Sequence, residues 1–198
     1  VAGLALALDK YGSGKFTLAD LLAPAIDLAQ EGFPVEDDLA DSLPHSRERL
    51  ARWPSSAAIF LNGDAPLNEG ERLLQFDLAD TLRAIAERGP SAFYRGPIAE
   101  RIAAAVRAAG GVMTTDDLKK YRAIEREPVR GSYRGYDIVS MPPPSSGGVC
   151  LIEMLNILEG YDLAKLGAGP QSFHLMIEAM KRAYADRAVF LGDPDSVK

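Results

Sequence analysis

The chain has 198 residues, 47% of them hydrophobic in type and 25% charged, with a net charge of -6; that is apolar material for one sizeable core or two small ones. Lys and Arg are scattered and outnumbered, which argues against nucleic acid or an anionic membrane surface as a partner, since both need a basic face. The single cysteine, Cys150, excludes an internal disulfide and a multi-cysteine zinc site, and no apolar run reaches membrane-spanning length.

Val1, Leu4, Leu8 and Tyr11 recur at helical spacing, and Gly12 stops that helix. The opening Val1-to-Leu8 run resembles a signal core, but it has no basic region before it and Asp9 and Lys10 interrupt it, so a packed helix is expected. The chain starts without Met inside this segment and ends in a Gly192-Asp-Pro-Asp turn. Either a processed subunit or an excised segment would look like this. Gly12 to Lys15 is a loop. Thr17 caps a helix over Leu18–Glu31, with Asp20 as its acidic partner. Leu18, Leu21, Leu22, Ile26 and Ala29 face the core, Pro24 bends the helix, and Gly32 ends it.

Helix resumes from Glu36 to about Arg52, with Asp37 and Asp38 favourable at its positive end and Pro44 breaking it in two. Residues 53–56 read as a loop, Ala58 to Leu61 as a short strand, and Asn62-Gly63-Asp64 as a turn. Asp77 caps a helix from Leu78 to Arg88, closed by Gly89-Pro90. A short helical turn starts at Ser91. Pro97 opens a helix that ends at Gly110-Gly111, and Thr114 or Thr115 caps a short one through Tyr121. The period then changes. Pro128 to Tyr133 and Tyr136 to Met141 form a hairpin around Arg134-Gly135. Pro142 to Pro144 cannot extend a central strand. Ser145-Ser-Gly-Gly148 opens a helix from Val149 to Glu159, Gly160 stops it, and a last long helix runs from Gln171 to Phe190. The fold class is therefore mainly α with a small β component, and one helical unit with a central hairpin is the simplest architecture.

Familiar catalytic patterns are missing. The two histidines, His45 and His174, read as packing or surface residues rather than triad bases, and there is no Gly-x-Ser-x-Gly elbow. No metal motif occurs, and no cofactor is implied. Gly12-Ser-Gly-Lys15 resembles the end of a phosphate-binding loop but has Asp9 where a glycine is needed and Phe16 where Ser or Thr is needed. Glu36, Asp37 and Asp38 are adjacent and do not face one another on a helix, so they read as N-terminal stabilisers. The strongest local signal is Met141-Pro-Pro-Pro-Ser-Ser-Gly-Gly148, a stiff rod feeding a helix N-terminus. Ser145 or Ser146 can cap that helix. Gly147 and Gly148 leave N–H groups open to an anion or carboxylate; the alternative is a cap with tight packing of the loop.

Gly131-Ser-Tyr-Arg-Gly-Tyr136, Ser140 to Gly148 and Met154-Leu-Asn-Ile-Leu-Glu-Gly160 together resemble the γ-glutamyltranspeptidase family. In the same order stand Val1-Ala-Gly-Leu4, Leu22-Ala-Pro-Ala-Ile26 with Glu31-Gly-Phe33, Gly89-Pro-Ser-Ala-Phe-Tyr94, and Ala183-Tyr-Ala-Asp-Arg-Ala188 with Gly192-Asp-Pro194. The resemblance covers essentially the whole chain.

It implies an N-terminal-nucleophile hydrolase. In that family a precursor cuts itself and the new N-terminal Thr of the small subunit attacks, with its α-amine as base. The resemblance places residues 1–198 as a single segment of the large subunit, the helical part of an αββα assembly. The nucleophile is then expected beyond Lys198 and the substrate-carboxylate arginine before Val1. Expected partners are the small subunit of the same precursor and a γ-glutamyl substrate such as glutathione. The family also suggests a periplasmic or extracellular location. No catalytic, substrate-binding or metal residue is carried over onto this chain. Ser145, Ser146, Gly147 and Gly148 are expected to form a structural or site-adjacent loop near the subunit junction. Cys150 departs from the His that many family members have there. A glutaryl-cephalosporin acylase-like enzyme shares the scaffold, and a non-catalytic helical interaction module is the alternative of another class. A segment separated from its covering parts is also expected to self-associate through exposed apolar faces.

Overall fold

The computed structural model describes residues 1–196. The chain divides into two units, Val1–Ile124 and a second beginning at Glu125; each is mostly helical with short strands.

The first unit comprises α1 (Ala2–Tyr11), α2 (Leu18–Glu31), β1 (Phe33–Pro34), α3 (Asp37–Ala51), α4 (Pro54–Phe60), β2 (Leu61–Asn62), β3 (Ala65–Pro66), β4 (Arg72–Leu73), α5 (Phe76–Arg88), α6 (Ser91–Tyr94), α7 (Pro97–Ala108) and α8 (Thr115–Lys120). Its centre is the pairing of α2 with α5. The start of α2 is set by a full capping box: Thr17 Oγ1 accepts the Asp20 N–H at 3.2 Å, and Asp20 Oδ2 accepts the Thr17 N–H at 2.8 Å. Beyond α2 the chain is stitched to the segment leading into α5. β1 pairs antiparallel with β4, Phe33 opposite Leu73. The Val35 N–H donates to the Glu71 carbonyl at 2.8 Å, and the Gln75 N–H to the Ala29 carbonyl at 2.9 Å. Gly32 is required here: its φ is +72°, and a Cβ would lie 2.7 Å from the Leu73 carbonyl oxygen. Val35, 1% exposed, fills the space beneath.

Several expectations need correction in this unit. Pro44 does not break its helix; α3 runs unbroken through it. The neighbouring carbonyls gain side-chain donors instead, Ser42 Oγ to Leu39 at 3.0 Å and His45 Nδ1 to Asp41 at 2.9 Å. That also accounts for His45. Residues 54–60 form a helix, not a loop and a strand: Pro54 sits in the first turn, and the Trp53 carbonyl accepts from both Ser56 and Ala57. Asp77 lies inside the first turn of α5, which begins at Phe76 after Gln75. Leu21 is exposed while Ala29 is buried on the same helix. α1 is helical but buries no residue, and Leu4 and Tyr11 are exposed. α8 carries a second capping box, from Thr114 and Asp117.

The second unit comprises β5 (Val129–Tyr133), β6 (Tyr136–Ser140), α9 (Gly147–Glu159), α10 (Leu163–Leu166) and α11 (Pro170–Phe190). β5 and β6 form the expected hairpin, Val129 opposite Ser140 and Tyr133 opposite Tyr136. The two turn residues, Arg134 (φ +50°) and Gly135 (φ +84°), have the positive angles that match the twist of the strands. α9 packs across the hairpin, and α11 packs on α9.

Packing in the first unit yields a contrast that urea unfolding measures. Leu73→Ala, at a buried strand position, is expected to lose roughly 2–5 kcal/mol. Leu21→Ala, on the exposed side of α2, is expected to stay within about 0.5 kcal/mol of the parent.

Candidate functional site

The loop from Met141 to Gly148 lies between β6 and α9. The rod turns at its end, where the Ser145 N–H donates to the Pro142 carbonyl at 3.1 Å. Ser145 Oγ then accepts the Gly147 N–H at 3.3 Å. Ser146 occupies the N-cap position with helical backbone angles, and its hydroxyl caps nothing. It accepts a hydrogen bond from Arg187 Nε on α11 at 2.9 Å. The helix starts at Gly147, two residues earlier than the sequence suggested.

The two glycines differ. Gly147 is exposed, and a Cβ there would meet nothing closer than Ser145 Oγ at 3.5 Å. Gly148 is buried, and a Cβ there would run into the Met141 carbonyl oxygen and lie 2.7 Å from Val129 Cγ2. Gly131 answers it from the hairpin, where a Cβ would lie 2.6 Å from Ile152 Cγ2 on α9. Helix and hairpin therefore interlock through one glycine on each. Tight packing is what surrounds Gly148, while Gly147 stays open.

The same packing brings polar groups together across α9 and α11. Cys150, buried, directs its S–H to the Ala183 carbonyl at 3.7 Å. Glu153 on α9 meets Asp186 on α11. Partial burial, then the charge of Asp186 and a hydrogen bond with it, hold the Glu153 carboxyl above the ordinary carboxylate range. At the hairpin tip the Arg134 N–H donates to Glu159 Oε1 at 2.6 Å, and its guanidinium donates to the Tyr161 carbonyl at 2.7 Å. Arg126 reaches the Gly192-to-Asp195 turn, donating to Asp195 Oδ2 at 2.9 Å with Asp193 Oδ1 at 3.9 Å. None of these partners was visible in the sequence. Ser146 and Arg187 are 41 positions apart, and Arg126 and Asp195 are 69 apart. Only the grouping of Asp186 and Arg187 in one recognisable motif pointed towards them.

Three of the four threonines are engaged locally, and the fourth, Thr115, is the first residue of α8. Thr17 and Thr114 are held in capping boxes, and Thr81 donates to the Asp77 carbonyl at 2.8 Å. His174 is exposed on α11. Among the described residues no group of three or more His, Cys, Asp or Glu side chains could hold a metal ion, and no helix is long and apolar enough to cross a membrane.

The sequence model of γ-glutamyltranspeptidase matches residues 1–198. The chain belongs to the γ-glutamyltranspeptidase family. It is 50% identical over 200 aligned residues to the glutathione hydrolase proenzyme of Escherichia coli (strain K12), covering 100% of this chain and 34% of that protein. It is 47% identical over 193 residues to the acylase ACY 1 proenzyme of Pseudomonas sp. (strain SE83), covering 97% of this chain and 34% of that one. Among solved structures, Helicobacter pylori γ-glutamyltranspeptidase superposes with a TM-score of 0.94 at 44% identity, over 100% of this chain and 57% of that chain. A cephalosporin acylase from Bacillus halodurans gives 0.87 at 34% identity, over 98% of this chain and 37% of that one. The chain thus spans about a third of the length of these curated relatives. The motifs that carry the family resemblance now have physical partners here: the Gly131 motif and the Ser145-to-Gly148 loop interlock, and the Ala183-to-Ala188 motif supplies Ala183, Asp186 and Arg187 to that junction.

Gly148→Ala is expected to destabilise by about 1–3 kcal/mol or more, because a backbone carbonyl blocks the new methyl. Gly131→Ala is expected to lose less, since the Ile152 side chain can move; urea midpoints rank the two. The Glu153–Asp186 pair makes stability depend on pH. With the Glu153 pKa raised in the fold, its contribution is complete below the ordinary glutamate value of 4.5 and is lost as pH rises through the raised value. Glu153→Gln should therefore flatten the fall in urea midpoint over that window relative to the parent chain.

Proposed function

We propose that residues 1–198 are a single segment from the large-subunit side of a γ-glutamyltranspeptidase. The full protein transfers or hydrolyses the γ-glutamyl group of glutathione and related amides. In this reading a precursor cleaves itself, and an N-terminal Thr outside these residues attacks the γ-glutamyl carbonyl while its own α-amine takes the proton. The acyl group then passes to water or to an amino acid or peptide. The segment supplies part of the helical layers of an αββα assembly, its partner is the small subunit of the same precursor, and the protein acts in the periplasm or outside the cell. The observation that carries the proposal is the ordered match along the whole chain to a glutathione hydrolase proenzyme at 50% identity. The local engagement of Thr17, Thr81 and Thr114 supports a nucleophile elsewhere.

A second reading has its own support. The acylase relative and the cephalosporin acylase structure are nearly as similar, which keeps a glutaryl-cephalosporin acylase activity as the alternative on the same scaffold.

The test is an assay with a γ-glutamyl anilide and a glutaryl amide. The isolated chain should turn over neither. The full precursor should cut itself and then release the anilide. Turnover by the isolated chain would overturn the placement of the nucleophile. Preference for the glutaryl amide would favour the acylase. A stop codon close after Lys198 in the gene would leave a non-catalytic helical module.

A further inference from the structure

α11 has three sides. Ser172, Ala179 and Ala183 are buried on the first, which faces the rest of the second unit. One position on from each, roughly 100° around the helix, stand Phe173, Met180 and Tyr184, with Ile177 between them. Phe173, Ile177, Met180 and Tyr184 are at i, i+4, i+7 and i+11, a continuous stripe, and in that order their exposures are 53%, 54%, 46% and 60%. The third side is polar, with His174, Glu178 and Lys181; Lys181 Nζ pairs with Glu178 Oε1 at 2.7 Å. A helix that meets water on two sides would carry polar residues on both. Here the polar side is already provided, and the stripe is a second apolar face rimmed by charge, the pattern of a surface made to be covered.

We propose that this stripe is the docking face for a part of the same precursor lying outside these 198 residues, which covers it with aliphatic and aromatic side chains. The inference rests on the precursor reading above. The chain spans 34% of the length of its curated relatives, so in proteins of this kind about twice as much further polypeptide has to find packing surfaces. A tethered segment acts at an effective concentration in the millimolar range, far above that of a second copy in dilute solution. It therefore reaches the stripe first. Tyr184 also lies in the Ala183-to-Ala188 motif, in which the Ala183 carbonyl accepts from Cys150 on α9 and Arg187 donates to Ser146. The stripe is thus held on a well-anchored helix.

The experiment uses the full-length precursor. Met180→Cys is introduced with other accessible cysteines replaced, Cys150 being buried, and maleimide labelling is timed in the native and the denaturant-unfolded protein. Labelling about tenfold or more slower in the native protein is expected. Equal rates would overturn the proposal. Protection that disappears on dilution of the intact precursor would overturn it too, by assigning the face to a second copy. Because position 180 is already half exposed in this chain, a charged partner variant separates docking from folding. Ile177→Asp should lower the denaturation midpoint of the full precursor, whereas an unchanged midpoint would count against docking. The γ-glutamyl assay is read in parallel. An active precursor with a freely labelled stripe removes this inference and leaves the function, while a protected stripe without γ-glutamyl activity does the reverse.

Discussion

The second unit depends on how closely α9 can approach the β5–β6 hairpin. That approach is set by two glycines, Gly148 on the helix and Gly131 on the strand, each occupying space that a methyl group would need. A two-stranded hairpin is marginal by itself in water. Here it is held by a helix lying against it and by Glu159 and the Tyr161 carbonyl gripping its tip through Arg134. The Ser145-to-Gly148 loop is the joint between hairpin and helix, and its letters follow from that task. Serines turn the chain and receive Arg187, one glycine leaves the first helical turn open, and the other allows contact.

The same use of small residues recurs in both units. Ala29, Ala79, Ala99, Ala103, Ala179 and Ala183 are buried, and the largest fully buried side chain is Val35. Alanine lets helices come close but removes little apolar area from water per residue. Many of the larger apolar side chains consequently point outwards, among them Leu4, Tyr11, Phe173 and Tyr184. The composition that promised a sizeable core is thus divided among a few buried larger side chains, such as Leu43, Leu73, Ile85 and Leu158, alanine-lined contacts and exposed apolar faces. Under the proposed reading as a segment of a longer precursor, the large side chains face what the rest of that precursor would cover.

How legible this was depended on the range of the interaction. Thr17 with Asp20 was readable as a cap, and the α8 cap was narrowed to Thr114 or Thr115, because the partners are three residues away. The hairpin was readable because Arg134-Gly135 supplies the backbone angles its turn requires. Pro44 misled because a proline penalty is local, whereas Ser42 and His45 offset it through carbonyls that propensity does not register. Residues 54–60 misled because β-branched and aromatic letters suggested a strand, while Trp53 and Pro54 provide a helix start. The family motifs were legible as motifs, but their purpose was not, since Gly131 and Gly148 look like flexible loop residues until their neighbours are known.

By itself the sequence determined the fold class, most helix positions, the hairpin and the ordered motifs of the γ-glutamyltranspeptidase family, because periodicity, caps and turns are encoded within a few residues. Tertiary structure alone decided that Gly148 and Gly131 interlock, that Arg187 takes Ser146, that Glu153 faces Asp186, and which side of α11 is left apolar and open. These are contacts between positions far apart in the chain, fixed only when α9 and α11 are packed, and no local pattern of letters carries them.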